Sequence, residues 1–132
     1  HVSPITIWRK DLRKGSGGAG TFRGGLGQIV EIEPREGYDF YFNAMFDRIE
    51  NAARGRDGGV SGEKGYVELT DGTMMRGKGR QLVKNGQRLR LMLPGGGGYG
   101  KATARDKAKV RSDLAAGYIT NKQARQDYLL ED

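Results

Sequence analysis

Glycine constrains this chain more than any other residue does. It fills 23 of 132 positions, about 17% where roughly 7% is usual. The glycines also come in blocks, in residues 15–27, 51–65 and 95–100, with only three prolines in the whole chain. Segments so poor in side chains serve turns, left-handed backbone or the close approach of one chain segment to another. Up to about residue 100 the apolar pattern has period two, the mark of half-buried strands. Ile5 and Ile7 alternate with Thr6 and Trp8, Val30 and Ile32 with Glu31 and Glu33, and Leu89, Leu91 and Leu93 with Arg88, Arg90 and Met92. In the longest run Tyr38, Phe40, Phe42, Ala44 and Phe46 share one face and Asp39, Tyr41, Asn43 and Met45 the other, which predicts a strand across the main core.

Val67 and Leu69 lead into Asp71-Gly72, and Leu82 and Val83 into Asn85-Gly86. Both dipeptides tolerate positive φ and predict two-residue hairpins. After Gly100 the period changes. Asp106 is an N-cap, Val110 and Leu114 lie four apart on one face, and Gly117 stops the helix. Thr120 with Gln123 makes a capping box, Ile119 and Ala124 a hydrophobic staple, and Ala124 and Tyr128 continue the second helix's apolar face. The expectation is a mainly β fold, an antiparallel sandwich or barrel-like body over residues 1–100, with a C-terminal two-helix hairpin over residues 101–132 packed on it in one domain.

Composition removes several kinds of chemistry. Cysteine is absent and the one histidine is His1, which leaves no Cys/His metal site, thiol nucleophile or internal histidine base. No metal ligands and no catalytic residue are assignable, since the carboxylates are too dispersed to pair. The net charge of +7 would suit an anionic partner, but Lys and Arg are spread along the chain, against nucleic-acid binding. No apolar run approaches a membrane span or a signal peptide, so a cytoplasmic protein without membrane contact is expected.

Two motifs are decoys. Gly95, Gly100 and Lys101 fit the G-x-x-x-x-G-K frame of a phosphate loop, but Ala102 stands where the magnesium-binding Ser or Thr belongs. The strand pattern is also antiparallel and the helix starts too late, near Asp106. Residues 15–20, "GSGGAG", match G-x-G-x-x-G without the helix that a dinucleotide fingerprint needs. Arg23, among small residues, is placed either to meet a carboxylate or phosphate or to pair with a neighbouring carboxylate. Arg54, Arg56 and Asp57 sit in a charged, adaptable loop, and Trp8 is read as packing.

Taken together, "SGGAGTFRGGLG" (residues 16–27), "AARGRDGGVSG" (52–62), "RGKG" (76–79), "LPGGGGYG" (93–100) and "AAGYITNKQARQDY" (115–128) resemble, in order and spacing, the C-terminal region of the hydantoinase B/5-oxoprolinase family and its N-methylhydantoinase-like members. The resemblance implies that these residues are part of a larger subunit, inactive alone, which works with a hydantoinase A-like partner in an oligomeric complex. Such enzymes open a hydantoin or 5-oxoproline ring, with ATP hydrolysis activating the cyclic amide; ATP and a divalent metal are implied for the whole enzyme, neither bound by this chain.

In that scheme Ser16, Arg23, Arg54 and Asp57 are the candidates for contact with substrate or intermediate. The glycine-rich loops with Gly17, Gly18, Gly20, Gly24, Gly25, Gly95, Gly96, Gly97 and Gly98 would offer backbone N–H groups or shape a cavity. Two departures matter: Gly15 stands where members commonly have Asp, and Lys101-Ala102 where they have Asp-Pro, so Lys101 is not an ATP ligand. The alternatives are a non-catalytic assembly module docking a partner subunit and part of a related ATP-dependent ketone carboxylase.

Overall fold

A computed structural model describes residues 4–131. Seven strands precede the helices: β1 (Ile5–Leu12), β2 (Gln28–Pro34), β3 (Phe40–Met45), β4 (Tyr66–Leu69), β5 (Met74–Met75), β6 (Lys78–Val83) and β7 (Leu89–Met92). Five form an antiparallel sheet in the order β1-β2-β7-β4-β5, and β3 pairs with β6 in a separate two-stranded ribbon. The ribbon covers one face of the sheet. Val67, Leu69, Val83 and Leu89 are buried between the two layers, with Phe40, Phe42, Phe46, Met75 and Leu91 packed around them. This is a sandwich and not a closed barrel. The run predicted across the core keeps its register, with Ala44 buried and Tyr41 and Met45 outward; Tyr38 lies before the strand and is exposed.

The opposite face of the sheet is ionic. Arg9, Glu31, Arg90 and Glu68 lie in register across β1, β2, β7 and β4. Alternating charges thus run across four strands, with Arg90 bound to Glu31 at 2.8 Å and to Glu68 at 3.0 Å. Those two carboxylates, Glu31 first, raise the guanidinium's pKa. Cross-strand pairs of opposite charge stabilise a sheet directly, and these carboxylates, dispersed in sequence, are paired by the pleat. Trp8 is not in the core: it is 58% exposed, with the Arg88 guanidinium 4.6 Å from its ring centroid.

The hairpin dipeptides behave differently from one another. Asp71-Gly72 does join paired strands, but through a three-residue loop, because the Leu69 N–H donates to the Thr73 carbonyl and Gly72 takes φ +93°. The Thr73 N–H also donates to the Asp71 carboxylate, holding it below its usual pKa. Asn85-Gly86 makes a turn, with Gln87 N–H on the Lys84 carbonyl, yet it carries the chain from β6 in the ribbon to β7 in the sheet. A dipeptide fixes a local reversal; which strands then pair is decided by apolar faces closing from two layers.

Past Gly100 a 3-10 turn (Ala102–Ala104) leads to α1 (Lys107–Ala115) and α2 (Asn121–Gln126). The caps are as the sequence predicts. Asp106 accepts the Ala108 N–H at 2.7 Å, Gly117 has φ +73°, and Thr120 and Gln123 form the capping box. The hairpin docks elsewhere than on the sheet: Val110, Ile119, Ala124 and Tyr128 close on Ala19, inside the first glycine block. The sheet's apolar face is already occupied by the ribbon. Among the described residues no helix is long and apolar enough to cross a membrane.

Candidate functional site

The three glycine blocks converge. Residues 94–100 run extended between the segments around 16–25, 53–56 and 59–63, and are bonded to all three. Gly18 N–H donates to the Gly96 carbonyl, Gly96 N–H to Gly25, Gly98 N–H to Val60, and Arg56 N–H to Gly98, each at 2.9 Å. A β-strand has two neighbours in one plane; this segment has three, around its axis. Side chains would fill the space the neighbours need, which is the reason glycine is obligatory in crowded bundles of extended chains. A Cβ on Gly95 would run into the Ser16 carbonyl, on Gly98 into that of Ala19, on Gly18 into that of Val60, and on Gly24 into that of Gly96. None of these four glycines has positive φ. Close approach, and not left-handed backbone, explains them.

This arrangement places the sequence's candidates in different roles. Ser16 is fully buried; its hydroxyl donates to the Arg13 carbonyl at 2.6 Å and accepts the Gly27 N–H at 2.8 Å. Gly18, Gly24, Gly95, Gly96 and Gly98 donate their N–H groups to backbone carbonyls. Gly17 and Gly20 are buried against Gly24 and Tyr99 backbone, and Gly25 has open space where a Cβ would stand. Arg23 takes the neighbouring-carboxylate alternative: its Nε is 3.1 Å from Asp113, which Arg105 also binds at 2.8 Å, and it lies over the Tyr118 ring at 5.3 Å. This half-buried cluster, centred on the buried Asp113, ties the first glycine block to α1. Tyr128 beside it is 1% exposed, and burial pushes its hydroxyl pKa up, against the opposing pull of the Gly20 backbone and the two guanidinium groups.

Arg54 alone among the polar candidates opens onto a cavity. A cleft of about 770 Å³ is lined by Arg48, Asn51, Ala52, Ala53, Arg54 and Arg56 on one side and by Pro94, Gly95, Gly96 and Gly97 on the other. Asp57 stands outside it, at φ +51°, where its carboxylate faces Tyr99 and raises the phenol's pKa. Lys101 is exposed, with its carbonyl taken by the Thr21 hydroxyl at 2.8 Å. No local pattern in the sequence marks Arg48 and Asn51, which reach the cleft from the start of the loop after β3. With guanidinium groups and no carboxylate or imidazole in its lining, the cleft offers positive charge and hydrogen-bond donors but no acid–base pair. Among the described residues no three Asp, Glu or His side chains come together as a metal site, and no step through a metal is derived for this chain.

Residues 1–102 match the family model for hydantoinase B/oxoprolinase. The chain is 30% identical, over 95% of its length, to the B subunit of a putative D-/L-hydantoinase of Pseudomonas sp. strain NS671, of which it covers 22%. It is 32% identical, again over 95%, to the beta subunit of the caprolactamase of Pseudomonas jessenii, of which it covers 23%. The crystal structure of the ATP-dependent caprolactamase from Pseudomonas jessenii superimposes on 98% of this chain, and 24% of that one, with a TM-score of 0.79 and 29% identity. A nucleotide-free acetone carboxylase structure shares the fold, with a TM-score of 0.63, 16% identity and coverage of 95% of this chain and 21% of that one. The chain therefore spans less than a quarter of these relatives, and it belongs to the hydantoinase B/oxoprolinase family.

Proposed function

We propose that this chain is the C-terminal part of a hydantoinase B-type subunit in an ATP-dependent enzyme that opens cyclic amides, assembled with a hydantoinase A-like partner. The observation that carries this reading is the agreement over 98% of the chain with an ATP-dependent caprolactamase at 29% identity. A lactam carbonyl is a poor electrophile, and coupling its attack to ATP cleavage supplies the missing driving force.

Within such an enzyme this chain supplies architecture around the glycine bundle. Ser16 and Arg23 are engaged in holding that bundle and the helices, so neither is free to act as a nucleophile or a substrate contact. The test is to express the full subunit with its hydantoinase A-like partner and measure ATP-dependent opening of hydantoin, 5-oxoproline and caprolactam. Ring opening should require both subunits and ATP, and the 132-residue chain alone should show none. Ring opening without ATP, or by this chain alone, would overturn the reading; bicarbonate-dependent consumption of a ketone would assign the complex to the carboxylases.

A further inference from the structure

We infer that the cleft between residues 48–56 and 94–97 is a binding site for a small ligand bearing two or more oxyanion groups, carboxylate or phosphoryl, recognised by Arg48, Arg54 and Arg56. The inference stands on this chain's own geometry and does not rest on the ring-opening activity.

Charge is the first argument. Three guanidinium groups and no carboxylate line the cleft. Elsewhere Arg9, Arg23, Arg88, Arg90 and Arg105 are bound to carboxylates, and Arg13 to backbone carbonyls. No side-chain hydrogen bond or ion pair engages Arg48, Arg54 or Arg56 among the described residues. Like charges gathered without a counter-charge oppose folding, and an anion that binds between them removes that opposition.

Rigidity is the second. Arg56 is clamped on both sides of its backbone, its N–H donating to Gly98 at 2.9 Å and its carbonyl accepting from Gly100 at 3.0 Å. The Arg54 carbonyl occupies the space that a Cβ on Gly97 would take. Arg48 has φ +57°, a conformation a non-glycine residue rarely adopts, and is anchored by the Gly65 N–H on its carbonyl at 3.0 Å. The charged side chains are therefore rooted in the glycine bundle and free at their tips, which lowers the ordering cost of binding.

Shape and chemistry select the ligand. The cleft falls within the usual ligand-site range of about 300–1,000 Å³. Its opposite wall is Pro94 and bare glycine backbone, so a ligand can approach the main chain closely. Guanidinium binds planar or tetrahedral oxyanions through paired N–H donors.

The test is titration of the isotopically labelled 132-residue chain at low salt with inorganic pyrophosphate and, separately, with succinate, followed through backbone amide and Arg Nε–H resonances. Saturable shifts should cluster at Arg48, Asn51, Arg54, Arg56 and Gly95 to Gly97. Arg54→Ala with Arg56→Ala should weaken binding by about tenfold to a hundredfold, and the two Lys replacements by less, since charge remains and the paired donors do not. Arg35→Ala, at an exposed site outside the cleft, should change it by no more than about twofold. Tighter binding of pyrophosphate assigns a phosphoryl ligand, tighter binding of succinate a carboxylate. Shifts scattered over the basic surface, or equal loss in Arg35→Ala, would overturn the inference. So would a glutamate oligomer binding more tightly than either small anion, which would make the cleft a docking surface for acidic polypeptide.

Discussion

The sandwich and the glycine bundle hold together by opposite means. Between sheet and ribbon, side chains fill the space: Val67, Leu69, Val83 and Leu89 are buried, and apolar area removed from water is the main stabilising contribution. In the bundle the side chains are missing and backbone fills the space, with carbonyl oxygens seated where Cβ atoms would be. Dispersion and direct amide–carbonyl bonds take over where apolar area is scarce. A core of side chains can relax around a lost methyl group, whereas a core of backbone has no side chain to move aside when one is added. Tolerance to substitution should therefore run in opposite directions in the two regions.

The largest expected effect is at Gly98. Gly98→Ala would drive its methyl into the Ala19 carbonyl and should cost more than about 4 kcal/mol, enough to prevent folding. Gly25→Ala, with nothing within 4 Å and no positive φ, should stay within about 0.5 kcal/mol in the same chemical denaturation experiment. Next comes the joint between bundle and helices: Asp113→Ala leaves the half-buried Arg23 and Arg105 without their carboxylate, a loss of about 2–4 kcal/mol by thermal or urea unfolding. In the sandwich, Leu89→Ala should cost about 2–5 kcal/mol and leave a chain that still folds.

The smallest effect concerns pH. Burial raises the Asp127 pKa, against the opposing pull of Lys122. A carboxyl with a raised folded pKa binds its proton more readily in the folded chain, so its contribution is favourable in acid and is lost as pH rises through that pKa. Asp127→Asn should consequently be slightly more stable than the parent at neutral pH, with the gap closing in acid below the usual carboxylate range, as read by melting curves across pH.

The sandwich was legible because its information is local and periodic. Alternation at Phe40, Phe42 and Ala44 fixed a face, and caps at Asp106, Thr120 and Gln123 fixed helix ends. Pairing was not legible: Asn85-Gly86 spells a hairpin, yet its flanking strands belong to different layers. The glycine blocks were recognisable as a family signature while their physical role stayed hidden, since no periodicity marks a segment whose three neighbours are far away in sequence. The cleft illustrates the same limit. Arg54 and Arg56 announce a charged loop, but Arg48 and Asn51 join them only through the fold, and Ser16 and Arg23, attractive as polar residues among glycines, turn out to be bound within the scaffold.

Whether backbone packing makes the glycine blocks a core is decided by amide hydrogen exchange. The amides of Gly18, Gly95, Gly96 and Gly98, each bonded to a carbonyl of another segment, should exchange within about tenfold of the paired amides of β2 and β7, as expected when they open only with the rest of the fold. Exchange of those four glycines as fast as an exposed turn residue such as Gly86 would contradict a backbone core and return the blocks to flexible loops.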